Sequence, residues 1–143
     1  MSKQPTEEDT VNALIVEIKV LENTYNEFTV RQNLLERALL EYRAALDTLN
    51  GIGDEPPTEV LVQIGGGAIL RSQPPSTDRV LVGVGAGVVI EKPKAEAIIL
   101  LEDRSREAEK TVTSIASQRN EIAKRLDSDR QALSSLASRQ SED

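Results

Sequence analysis

Val60-Leu61-Val62-Gln63-Ile64-Gly65-Gly66-Gly67-Ala68-Ile69-Leu70 and Val80-Leu81-Val82-Gly83-Val84-Gly85-Ala86-Gly87-Val88-Val89-Ile90 are two versions of one pattern. Each is an apolar run rich in β-branched residues, a glycine-rich break and a second apolar run. That order reads as two strands joined by a tight two-residue turn. Gly65, Gly66, Gly67, Gly85 and Gly87 supply the positive φ such turns need. Residues 58–91 are therefore predicted to form two successive β-hairpins, an internal repeat. Arg71 to Arg79, with Pro74-Pro75 and Asp78, connects them, and Asp54-Glu55-Pro56-Pro57 precedes them. Four short strands bury too little surface to stand alone. Their open edges and apolar side chains are expected to pair with other subunits.

On both sides of this block the period changes from two to three and a half. Val11, Leu14, Ile18, Leu21, Tyr25, Phe28, Leu35, Leu39, Tyr42, Leu46 and Leu49 follow a 3-4 alternation with Gln32 as its polar insertion. A sustained heptad keeps one seam turned toward a partner helix, so a coiled-coil helix is predicted over 11–50. Tyr25, Phe28 and Tyr42 fit as seam knobs rather than as a ligand box. Ile98, Leu101, Ser105, Ala108, Val112, Ile115, Arg119, Ile122, Leu126, Asp129, Leu133, Leu136 and Gln140 repeat the alternation, predicting a second helix over 94–140. Polar residues interrupt this second seam at Ser105, Arg119, Asp129 and Gln140, and such insertions lower stability while fixing register. The two arms are alike in length, which suits an antiparallel coiled coil returning to the block it left.

The expected fold is thus α+β: a single elongated domain with a flexible N-terminus over 1–10. Thr6 followed by Glu7, Glu8 and Asp9 marks the first helix start, and Asn50-Gly51 marks its stop. Pro93 suits the first turn of the second helix, and Ser138 to Asp143 is expected to fray.

Composition agrees with a thin shape. The 143 residues are 38% hydrophobic with one Phe, two Tyr and no Trp, little material for a round core. The net charge of −7 is spread along the chain without a basic face, which disfavours nucleic acid. There is no Cys and no His, which removes disulfides, thiolate and imidazole metal ligands and the commonest general base near neutral pH. Pairs such as Glu102-Asp103 and Asp127/Asp129 fall on helices, where charge runs usually face water. Gly83-Val84-Gly85-Ala86-Gly87 lacks the third glycine of a dinucleotide loop and the Lys-Ser/Thr of a phosphate loop, and a strand follows it. Hence no catalytic residue, metal ligand or cofactor site is assigned. No apolar run approaches the ~18 residues of a membrane span, so a soluble, cytoplasmic protein is expected. The excess of Arg (11) over Lys (6) is a weak hint of a salty cytoplasm.

At the ends of the arms away from the hairpins lie Val11, Leu14, Ile15 and Ile18 on the first helix and Leu126, Leu133 and Leu136 on the second. Frayed ends would expose this apolar stripe as an interaction site. A seam closed to the tip is the equal alternative.

The order heptad helix, VLVQIGGGA, VLVGVGAGVV, heptad helix resembles the archaeal prefoldins over nearly the whole chain, the paired glycine-rich hairpins being the specific part. Two hairpins rather than one resemble the α-type subunit of that family. The resemblance implies a hexamer of two α and four β subunits. In that family the α hairpins centre a double β-barrel platform from which six coiled-coil arms hang. The tips hold unfolded polypeptides and pass them to a group II chaperonin without ATP hydrolysis by prefoldin itself. Carried over by position, Val60, Val62, Ile64, Ile69, Val80, Val82, Val84, Val88 and Ile90 would serve assembly, and the tip residues above would touch clients. The alternative reading is a coiled-coil oligomerisation scaffold that binds no client.

Overall fold

The computed structural model describes residues 4, 6–52, 59–73 and 77–141. The elements run α1 (Glu7–Ile52), β1 (Val60–Gly65), β2 (Ala68–Ser72), β3 (Arg79–Gly85), β4 (Val88–Pro93) and α2 (Lys94–Ser141). The predicted α+β plan of two long helices around two antiparallel hairpins is therefore the observed one.

Helix α1 begins at Glu7, ahead of the first heptad residue, because its start is capped from both sides. Thr6 Oγ1 accepts from the Asp9 amide at 3.1 Å, while Asp9 Oδ2 accepts from the Thr6 amide at 3.2 Å. This reciprocal capping satisfies amides that the first turn would otherwise leave unpaired. The carboxylates of Glu7, Glu8 and Asp9 also face the positive end of the helix dipole. At the other end α1 passes through Asn50-Gly51 to Ile52, so that pair does not stop it. The Asp54–Pro57 separator and the Pro74-Pro75 link lie outside the described residues. Pro93 belongs to β4, opposite Arg79, and α2 starts one residue later. Proline lacks the amide that a ladder position would donate, so it suits the end of an edge strand. Helix α2 continues to Ser141 instead of fraying from Ser138.

The hairpins share one design. In the first, Val60 pairs with Ser72, Val62 with Leu70 and Gln63 with Ile69; in the second, Val80 pairs with Lys92, Val82 with Ile90 and Gly83 with Val89. Each register shifts once before the turn, between Gln63 and Gly65 and between Gly83 and Gly85. The turn residues Gly66 and Gly67 have φ of 60° and 80°, and Ala86 and Gly87 have 52° and 76°. Positive φ at both central residues is the type I′ requirement, whose twist matches that of the strands it joins. Ala86 meets it without being glycine.

The chain forms two compact units, Met1–Arg37 with Glu109–Asp143, and Ala38–Ala108. In the first, α1 and α2 run antiparallel: Glu17 meets Arg125, while Tyr25 and Gln32, further along α1, meet Arg119, earlier on α2. The seam positions predicted from the heptads are the covered ones. Val11, Leu14, Ile18, Leu21, Tyr25, Phe28 and Leu35 are half-buried, Ile115 and Leu126 are buried, and Val112, Ile122, Leu133 and Leu136 are half-buried. Gln140 alone of the predicted positions is exposed. In the second unit Leu39, Val82, Ala97, Ser105 and Ala108 are buried.

Candidate functional site

Antiparallel strand partners place their side chains on one side of the sheet, so the register sorts the hairpin residues into faces. In the first hairpin Val60, Val62 and Leu70 share a face, and Leu61, Gln63, Ile69 and Arg71 share the other. In the second, Val80, Val82, Ile90 and Lys92 lie together, opposite Leu81, Gly83, Val89 and Glu91. Ile69 therefore stands across the ribbon from Val60 and Val62, so the assembly set read from the sequence spans both faces. A single register of pairing makes this visible; alternation along one strand does not.

The two equivalent faces are covered differently. Val82 is 6% exposed, whereas its counterpart Val62 is 45% exposed. In the second hairpin Arg104 of α2 donates through Nη2 to the Gly83 carbonyl at 2.8 Å, and the Lys94 amide donates to the Asp78 carbonyl at 2.7 Å. Ala97, completely buried, lies one heptad before Arg104 and hence on the same flank of α2. The Arg104 side chain ties that flank to the hairpin at Gly83. The heptad reading followed only the seam and missed both residues; small and cationic residues seven apart beside the seam were the available signal.

Among the described residues the first hairpin has no such cover. Ile64, Ile69, Leu61 and Leu70 are all exposed, and the ribbon of β1 and β2 pairs with no further strand among the described residues. Val84 and Val88 near the second turn are exposed as well, together with Leu81 and Val89 on the outer face. Apolar surface on both sides of a two-stranded ribbon, with free backbone groups along its edges, has the properties of a strand-pairing surface. The outer rims are tied by exposed ion pairs, Arg71 with Glu59 at 3.6 Å and Arg79 with Glu91 at 3.4 Å.

At the end of the helical unit where α1 begins and α2 finishes, the seam is largely shut. Leu126 is 6% exposed, Val11, Leu14, Ile18, Leu133 and Leu136 are half-buried, and Ile15 is exposed beside the seam. Two ion pairs brace it, Arg125 with Glu17 and Arg130 with Glu22 at 2.9 Å. The polar insertions divide into two kinds. Arg119 donates to Gln32 Oε1 at 2.8 Å and to Tyr25 Oη at 3.0 Å through its two terminal nitrogens, while its buried Nε has no partner among the described residues, so three seam residues predicted separately form one network. Asp129 is buried and its Oδ2 has no hydrogen-bond partner among the described residues.

Comparison with known proteins agrees with this architecture. Residues 21–139 match the Prefoldin family, described as prefoldin subunit. Prefoldin subunit alpha of Methanoregula boonei is 36% identical over 107 residues, covering 70% of each chain. That of Methanoculleus marisnigri is 34% identical over 125 residues, covering 78% of this chain and 84% of the relative. That of Nitrosopumilus maritimus is 26% identical over 129 residues, covering 90% and 89%. In fold the chain is similar to a filamentous PFD from Methanocaldococcus jannaschii determined by cryo-EM, with a TM-score of 0.50, 22% identity and coverage of 85% of this chain and 95% of that one. With the family matched over most of its length and its paired hairpins in place, this chain belongs to the prefoldin subunits, a family of chaperones.

Proposed function

We propose that this chain is the α-type subunit of a cytoplasmic, ATP-independent holdase. Its two hairpins join those of β-type subunits in a platform of two α and four β chains. The ends of its helical arm hold non-native polypeptides, which are then delivered to a group II chaperonin. The observation that carries this reading is the first hairpin, apolar on both faces and, among the described residues, paired with no further strand along its edges. Such a ribbon gains stability only when other strands and side chains cover it.

For client holding, the relevant property is the modest cost of parting the last heptads. Exposed ion pairs such as Arg130 with Glu22 contribute little, and the buried carboxylate of Asp129 opposes closure. Parting the helix ends exposes Val11, Leu14, Ile18, Leu133 and Leu136 beside the already exposed Ile15; Leu126, deeper in the seam, follows last. Weak contacts at several arm ends combine through effective concentration, giving tight holding without sequence selectivity.

Co-expression with a β-type partner and native mass measurement tests the platform, the expected product being a hexamer. Suppression of light scattering by a denatured model protein tests the holdase. Changing Leu14, Leu133 and Leu136 together to Ser is expected to leave the hexamer intact and weaken suppression. Full suppression by that triple variant would sink the helix-end assignment. A hexamer that never alters scattering would leave a scaffold only.

A further inference from the structure

The helical unit carries a second apolar surface that the seam does not use. Val16, Val20, Val30 and Leu34 of α1 are 61%, 56%, 59% and 59% exposed. They form two i, i+4 pairs set two heptads apart, so all four fall on one side of the helix, opposite the seam residues Leu14, Leu21, Tyr25 and Phe28. Outer positions of a coiled coil are ordinarily polar. The α2 portion of the same unit obeys that rule, with no large apolar residue exposed between Glu109 and Ser141. The departure is confined to α1, where a shallow depression lined by Asn26, Glu27, Val30 and Arg31 sits on the stripe.

Charge indicates what the stripe accepts. Lys19, Arg31 and Arg37 border it, and no carboxylate among the described residues pairs with any of them. The nearby acids Glu17 and Glu22 are paired with Arg125 and Arg130, and Glu36 keeps its charge but by heptad position lies on the seam side, where Gln32 donates to it, which leaves Glu27 as the acid within the stripe. The border is thus locally basic on a chain of net charge −7. A second copy laid on this face would set the same cations against each other, a repulsive arrangement.

We infer that the outer face of α1 is a docking surface for an amphipathic helix of another protein, one that presents paired apolar side chains two heptads apart with carboxylates flanking them. The span from Val16 to Leu34 is about 27 Å, which a helix of roughly 18 residues matches. Apolar pairs supply the attraction and the basic border selects for acids. Val30 and Leu34 lie well beyond the helix-end residues, and Val16 and Val20 face away from the seam, so substitutions at Val20 and Val30 test the inference apart from client holding by Leu14, Leu133 and Leu136.

The test uses the full chain in its assembled form and three labelled synthetic peptides of about 18 residues. One carries Leu pairs on a single face with Glu flanks, the second has Lys in place of Glu, and the third has the Leu residues scattered around the helix. Fluorescence anisotropy is expected to show binding of the acidic peptide that weakens with salt. The Val20→Ser/Val30→Ser and Lys19→Glu/Arg31→Glu pairs should each raise its Kd about tenfold or more. All four residues are exposed, so the assembled mass and melting temperature should not change. The inference is overturned if the Lys peptide or the scattered peptide binds as tightly as the acidic one, or if neither pair of substitutions changes its Kd. It is also overturned, in favour of a second copy, if sedimentation reveals a self-association that Val20→Ser/Val30→Ser abolishes.

Discussion

The guanidinium carbon of Arg119 lies 4.7 Å from the centre of the Tyr25 ring, and its Nη2 donates to the phenol oxygen of the same residue at 3.0 Å. One cation is thus held by a ring face, a hydroxyl and, through Nη1, the Gln32 side chain at 2.8 Å. No carboxylate takes part. The three residues occupy seam positions on facing helices, so the network forms only in one longitudinal alignment of α1 and α2 within this unit.

Arg119→Ala removes every contact of this network and is expected to cost about 2 kcal/mol in urea unfolding. Tyr25→Phe keeps the ring and loses only the hydroxyl acceptor, so its cost should be nearer 1 kcal/mol. Equal costs for the two variants would mean that neither the ring face nor the Gln32 bond contributes.

Asp129 has no comparable network among the described residues: it is a buried carboxylate with an unpartnered oxygen in an apolar seam. Asp129→Leu should raise the unfolding free energy by about 1–2 kcal/mol, since a packed aliphatic side chain replaces a desolvated polar one. Because the same change makes the helix ends harder to part, aggregation suppression should decline as stability rises. Chemical denaturation and light scattering on one preparation measure both. A destabilised variant would show that the carboxylate is satisfied in the assembled protein.

Ala86 occupies a left-handed turn position at φ 52°, where an L-residue with a Cβ loses roughly 1–2 kcal/mol. Ala86→Asn creates the Asn-Gly pair favoured in type I′ turns and should stabilise the second hairpin by about 0.5–1 kcal/mol. Differential scanning calorimetry would register this as a higher melting temperature. Ala86→Val, β-branched at positive φ, should lower it.

Val62 and Val82 hold equivalent places in the repeated hairpins but differ in cover, 45% against 6% exposed. Val82→Glu buries a charge and is expected to destabilise the isolated chain by about 3 kcal/mol or more. Val62→Glu should change the isolated chain by less than about 0.5 kcal/mol and yet prevent assembly, read as loss of the high-mass species on co-expression. Normal assembly of the Val62 variant would show that the Leu61 and Ile69 face carries the contacts instead.

Much of this architecture is written in short-range pattern. The period of two between Val60 and Ile90, the glycine-rich breaks, and the heptads on either side follow from the geometry of strand and helix, and they identify elements, turns and seam residues without reference to distant contacts. Capping at Thr6 and Asp9 is equally local, and it sets the start of α1 at Glu7. Pairing between remote residues is a different matter. Gly83 and Arg104, or Tyr25 and Arg119, meet only after the chain has turned back on itself, and nothing in their neighbours' identities announces the partner.

The sequence by itself therefore determined the two helices, the two hairpins and which residues line the seam, because these depend on periodicity and backbone preference alone. The tertiary structure decided which repeat is covered and which is exposed. Val62 and Val82 sit in nearly identical sequences, yet Val82 is buried in the hairpin that Arg104 of α2 contacts and Val62 is exposed in the other. It also decided that the apolar residues of α1 divide between a closed seam and an outer stripe, since exposure is a property of where the partner helix lies and not of the residue itself.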